Sequence, residues 1–127
     1  MSERQIIFKE SLPCKTRSLN NSREHWAAKS KRAKNERNLA RFVFAKHEPP
    51  KPMPSDSGKV IFVKMTRVSP RKLDCDNLTG ALKAIRDGIA DWLMIDDGLS
   101  CVSWEYGQKK AGVREHSVDV EVGVKSA

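Results

Sequence analysis

Apolar residues recur along this chain in two rhythms, and together they divide it into six segments. Leu78, Ala81, Leu82, Ile85 and Ile89 follow one another at i, i+3, i+4 and i+7 spacing, which predicts an amphipathic helix. Asp76 or Asn77 is its expected cap, since a short polar side chain there accepts orphan backbone N–H groups. Gly88 weakens this helix or ends it early. Upstream, a longer helix is expected from about Ser22 to Ala45, with Asn21 or Ser22 as its cap. Trp26, Ala33, Leu39, Ala40, Phe42, Val43 and Phe44 form its partial apolar stripe. The other rhythm is alternation. Val102, Trp104 and Tyr106 mark a strand over Ser100–Gln108, and Val118, Val120, Val122 and Val124 mark a half-buried strand over His116–Val124. Lys109–Arg114, with Gly112, turns between them. The run K-V-I-F-V-K-M-T-R-V, between Gly58 and Pro70, is the best strand in the chain, and its near-continuous apolar character predicts burial on both faces. Gln5–Lys9 is a short strand candidate. The order β, α, β, α, β, β predicts an α+β fold: a small mixed β-sheet with two main helices.

Proline and small polar residues in H-E-P-P-K-P-M-P-S-D-S-G make a connector, not a domain boundary. With 127 residues the chain is expected to form a single domain, 1–127, with a modest core. A hydrophobic content of 39% without a long apolar run leaves no candidate membrane span. The segment M-S-E-R-Q-I-I-F-K has no secretory h-region, and the three cysteines, Cys14, Cys75 and Cys101, form no C-x-x-C pair. A structural zinc or disulfide framework is therefore not expected, and a cytoplasmic setting is.

Charge changes the picture more than composition does. Residues 1–51 hold 13 Lys/Arg and 5 Asp/Glu, while residues 52–127 hold 11 of each, so the whole excess of +8 sits in the N-terminal part. Arg23, Lys29, Lys31, Arg32, Lys34, Arg37 and Arg41 crowd the first helix. That face is either solvated or a phosphate-binding surface, and the asymmetry favours the second. A basic part joined to an acidic-site part over 58–127 suggests a polyanionic partner and a bound cation.

Four aspartates carry the candidate chemistry. Asp74 and Asp76 stand just before the acidic helix, and Asp96 and Asp97 just after it. Hard cations such as Mg²⁺ favour carboxylate oxygens, and a D-x-D pair on an irregular segment can aim both groups at one ion. With a third carboxylate from Asp97, such an ion would stabilise phosphoryl oxygens and activate water. The plain alternative is a capping aspartate beside a solvated one, with D-D-G as a turn. A phosphatase of the haloacid-dehalogenase type fits less well: its first aspartate should directly follow a buried strand, whereas Ser69 to Asp74 inclusive follow Val68, and Leu78 sits where Thr or Val is wanted. No G-x-x-x-x-G-K-[ST] loop is present, so no nucleotide cofactor is expected. His25, His47 and His116 are spread far apart and are expected at the surface.

The stretch R-K-L-D-C-D-N-L-T-G-A-L-K-A-I-R-D-G-I-A-D…I-D-D-G resembles the RusA family of Holliday junction resolvases, particularly its phage and prophage branch. The match is strong over Arg71–Gly98; S-L-N-N-S-R-E-H-W resembles the family's S-x-N region more loosely. The resemblance implies a small dimeric endonuclease that binds four-way DNA junctions and cuts them with Mg²⁺. It implies Asp74, Asp76 and Asp97 as metal ligands, with Asp96 less critical, and Asn77 as the family asparagine. Where the family carries a lysine this chain has Gly80; Lys83, one turn later, is the candidate to act on the phosphate. Arg71, Lys72, Lys31, Lys34 and Arg37 are the candidate DNA contacts. The competing reading is a non-catalytic nucleic-acid-binding protein whose aspartates only cap and turn.

Overall fold

A computed structural model describes residues 4–16, 26–50, 58–94 and 102–126. The elements run β1 (Arg4–Leu12), α1 (Trp26–Phe44), β2 (Lys59–Ser69), α2 (Cys75–Leu93), β3 (Val102–Lys110) and β4 (Ser117–Ser126). The fold is α+β, with four strands in the order β1-β4-β2-β3. β4 pairs antiparallel with both β1 and β2, whereas β2 and β3 are parallel. Parallel neighbours need a crossover, and α2 supplies it. That geometry puts the start of α2 at the sheet end where β2 and β3 finish, with Ser69 opposite Lys110.

One face of the sheet carries the core. Leu12 of β1, Ile61, Val63 and Met65 of β2, Val102 of β3 and Val118, Val120 and Val122 of β4 meet Ala40 and Phe44 of α1 and Leu78, Leu82, Ile85 and Ile89 of α2. The opposite face is polar. Lys9, Glu121, Lys64 and Glu105 stand side by side across four strands. Val60 and Val68 share that parity, half-buried, and Phe62 is the large apolar residue between them. It is fully buried, with the Arg4 guanidinium 5.0 Å above its ring. Arg4 continues to Glu105 at 2.8 Å, and Lys125 reaches the same carboxylate at 2.7 Å. A Cβ at Gly123 would strike the Gln5 carbonyl and stand 2.9 Å from Phe62, so glycine is what lets β1 close over this ring. β2 is therefore buried on both faces only at Ile61–Val63, and alternates beyond.

The helices run in the same direction: Arg37 lies against Gly88 and Asp91, and one turn or two later Phe44 packs on Trp92 with ring centroids 4.9 Å apart. Gly88 does not end α2, which continues to Leu93. It permits the crossing, because a Cβ there would collide with the Arg37 carbonyl and stand 2.9 Å from the Ala40 Cβ. The expected stripe on α1 is narrower than the sequence suggests. Ala40 and Phe44 are buried, but Trp26 and Phe42 are 75% and 80% exposed, while Glu36 is buried beside Arg32. β3 extends through Lys109 and Lys110, where the sequence pattern predicts a turn. His47 is not a plain surface residue: its ring packs on Phe8, and its Nε2 lies 2.8 Å from Glu10. The expected caps Asn21 and Ser22 lie outside the described residues. Among the described residues, no helix is long and apolar enough to cross a membrane.

Candidate active site at the start of the second helix

The helix begins earlier than its apolar pattern suggests. Its N-cap is Asp74 (φ −63°, ψ 157°), not Asp76 or Asn77, and Asp76 lies inside the first turn. The D-x-D pair thus brackets the helix start instead of sitting on an irregular loop. The Asp74 side chain makes no capping bond. Both carboxylates are exposed, as is Cys75 between them. The helix dipole gives this end a partial positive charge, which attracts negative groups, carboxylate or phosphate alike. Because α1 runs parallel to α2, its positive end points the same way.

As a donor set, Asp74 and Asp76 suit a hard cation: two exposed oxygen ligands, uncommitted to a cap, leave room for waters and phosphate oxygens around Mg²⁺. Among the described residues no three acidic, His or Cys side chains converge. Asp96 and Asp97 lie outside the described residues. They follow the far end of α2, whose 19 residues separate its two termini by about 27 Å.

The candidate DNA contacts divide into two groups. Arg71, Lys72, Lys31 and Lys34 are exposed, and Lys31 and Lys34 form no ion pair among the described residues. Arg37 instead binds Asp91 through two hydrogen bonds of 2.6 and 2.8 Å, fastening α1 to α2. This pairing holds the Asp91 carboxyl below its usual range, with Arg41 adding a smaller pull. Lys83 donates to Asp87 at 3.0 Å, one turn further from Asp76, while Gly80 leaves open space on the helix surface between them. Such an exposed i,i+4 pair contributes about 0.2–0.5 kcal/mol, little enough for a phosphate to displace it.

Several residues at this end carry no local motif in the sequence. Lys109, Lys110 and Arg114 are exposed where β3 ends and the chain turns into β4, so they border the same sheet edge as Arg71 and Lys72. Gln108 bonds both backbone groups of Leu73: Leu73 N–H donates to its Oε1 at 2.7 Å, and its Nε2 donates to the Leu73 carbonyl at 2.6 Å. Arg67, 7% exposed, donates to Thr16 Oγ1 at 2.9 Å and to the Arg71 carbonyl at 2.6 Å. The signal for these two lies in the alternation. Arg67 follows Ile61, Val63 and Met65, and Gln108 follows Val102, Trp104 and Tyr106, so each is a polar group on the inward parity of a strand. Such a group must find a buried partner. Cys14, in a cleft bordered by Lys15, Lys31 and Arg32, is a different case. Burial, with Glu36 adding to it, pushes its thiol up to about 11, which keeps it protonated and unreactive. No family model matches the chain, and no curated protein matches it in sequence.

Proposed function

We propose that the chain is a Mg²⁺-dependent, structure-selective endonuclease that cuts branched DNA, four-way junctions in particular, as the resemblance to RusA resolvases implies. The observation that carries this reading is the end of the molecule where α2 starts. Two exposed carboxylates stand there at the positive end of α2, with Arg71, Lys72, Lys109 and Lys110 around the same sheet end. Carboxylates amid cations that a phosphate backbone would contact make a site for a metal-bridged phosphodiester.

In this reading Asp74 and Asp76 hold the ion and fix its distance from the sheet edge. A bound Mg²⁺ would withdraw charge from the phosphoryl oxygens and ease deprotonation of a coordinated water. Arg71 and Lys72 pair with the phosphates on either side, and Lys31 and Lys34 with an adjoining duplex arm. Lys83 leaves Asp87 to meet a phosphate beside the ion. Asp97 belongs to the proposal as the third ligand. Since α2 places about 27 Å between the first-turn pair and the chain that leads to Asp97, the proposal assigns this ligand to the second copy in a symmetric dimer. Work on recombining DNA would be done in the cytoplasm of a bacterial or phage-infected cell.

The test is a labelled four-way junction incubated with the protein, with and without Mg²⁺. Cutting is expected only with Mg²⁺, and Asp74→Asn, Asp76→Asn and Asp97→Asn should each abolish it while binding the junction as well or better. Removing negative charge near phosphates cannot weaken Coulombic attraction. Mixed Asp74→Asn and Asp97→Asn chains should regain cutting in the dimer. Junction binding without cutting by the unaltered chain would leave only the nucleic-acid-binding reading.

A further inference from the structure

Four consecutive peptide planes lead into and past Asp74, and each is held by one hydrogen bond, two of them from one side chain, Gln108, and the others from β2 and from α2 itself. The 71–72 plane is held at the Arg71 carbonyl by Arg67, reaching from β2. The 72–73 plane is held at the Leu73 N–H by the Gln108 carbonyl oxygen, from β3. The 73–74 plane is held at the Leu73 carbonyl by the Gln108 amide nitrogen. The 74–75 plane is held at the Asp74 carbonyl by Leu78 N–H at 2.8 Å, the first bond of α2.

Rotation of the 73–74 plane is the motion that would swing the Asp74 Cβ, and Gln108 opposes it. Its amide orientation follows from chemistry, because a backbone N–H can only donate and a carbonyl only accept. The half-buried Leu73 side chain packs on the core beside it, so the clamp closes on a segment already anchored. Satisfying the inward-facing Gln108 amide calls for hydrogen-bond partners, but not for restraint of the backbone beside Asp74 in particular. A metal ligand does, since each backbone rotation left free before binding must be frozen on binding.

Building on the endonuclease reading, we propose that Gln108 is a positioning residue for the metal site: its two-bond clamp on Leu73 presets the backbone of Asp74, and thereby the affinity for the ion. Groups that orient a ligand from behind typically change metal affinity or activity by about 10–100-fold when removed. Gln108→Met keeps the length and loses both bonds. It should raise the Mg²⁺ concentration needed for half-maximal junction cutting by about 10-fold or more, while junction affinity without metal and the folded fraction stay as in the unaltered chain.

Gln108→Asn, which keeps the amide but is one methylene shorter, is read in its place if the Met variant does not fold; it should shift the Mg²⁺ requirement in the same direction. A purely structural role would lower stability without moving that requirement. If the unaltered chain cuts and a folded Gln108 variant shows the same Mg²⁺ dependence, the clamp proposal is overturned and the endonuclease reading stands. An equal fall in rate at every Mg²⁺ concentration overturns it as well. If the unaltered chain binds junctions and never cuts them, the endonuclease reading fails and takes the clamp's role with it.

Discussion

Two glycines of α2 should respond to the same substitution with opposite signs. At Gly80 a Cβ would meet nothing within 4 Å. Gly80→Ala therefore gains only the helix preference of alanine over glycine, about 0.5–1 kcal/mol. At Gly88 the same gain competes with a collision, since a Cβ would overlap the Arg37 carbonyl and crowd Ala40. The obstacle is backbone on one side and a methyl group on a buried helix on the other, so neither can swing away as a flexible side chain would. Relief requires α1 to move off α2, loosening the packing of Ala40 and Phe44 against the core. Overpacking of this kind costs about 1–3 kcal/mol, which exceeds the helix gain. The net loss should be about 0.5–2 kcal/mol, or a fall of about 2–8 °C in Tm for a domain of this size. Urea unfolding of both variants, followed by circular dichroism, reads the two signs on one scale. If Gly88→Ala stabilises the protein as Gly80→Ala does, the helices do not approach as closely as the carbonyl contact requires. The explanation for glycine at that position would then be wrong.

Asp91, paired with Arg37, has a folded pKa lowered from 3.8, so its contribution is present above that value and is lost as pH falls through the lower, folded one. Asp91→Asn should cost about 0.5–1 kcal/mol at pH 7, the upper range for a partly exposed pair, and the two proteins should converge in stability in acid. A gap that persists undiminished at the acid end would show that the carboxylate charge is not what fastens the helices. Lys31→Ala with Lys34→Ala should flatten the salt dependence of junction binding, lowering the log–log slope by about 0.9 for each phosphate left without its lysine; an unaltered slope would make this face merely solvated. Lys83→Ala should slow cutting far more than it weakens binding, and full activity would return Lys83 to its pair with Asp87.

Element order and type are readable in the sequence because the apolar periods are strong: Val118, Val120 and Val122 of β4 and the Leu78–Ile89 stripe map onto buried positions, and Val124 onto a half-buried one. Helix boundaries are harder. The first turn of α2 carries Cys75, Asp76 and Asn77, which have no apolar period to display, so the pattern begins only at Leu78, one turn late. On α1 the difference is one of width. Phe42 and Trp26 are apolar, yet a helix that meets its neighbours mainly through Ala40 and Phe44 leaves them facing outward. Gly88 shows why composition misleads at close contacts: local propensity counts it as a breaker, whereas its value lies in another helix brought near by the fold. The carboxylates of the candidate site are picked out by their spacing together with the family resemblance, spacing alone leaving a cap and a turn as the alternative. Their support cannot be picked out this way, because Arg67 and Gln108 act through backbone groups of other segments, and nothing local marks which strand ends beside which loop.

The strand order has a consequence for how the protein is made. Of the described elements β1 is made first, and among the described residues its only strand neighbour is β4, the last of them. Arg4 pairs in register with Lys125, so two strands far apart in the sequence must be brought together before the facing edges of that pair are satisfied. β2, α2 and β3 form a contiguous crossover and can associate earlier, but without β4 the central strand keeps one side of its backbone open. Closing so long a loop is slow compared with local pairing. A nascent chain thus carries an unpaired β1 and an open edge on β2 until β4 has been made, and a chain cut short before Ser117 has no route to pair either.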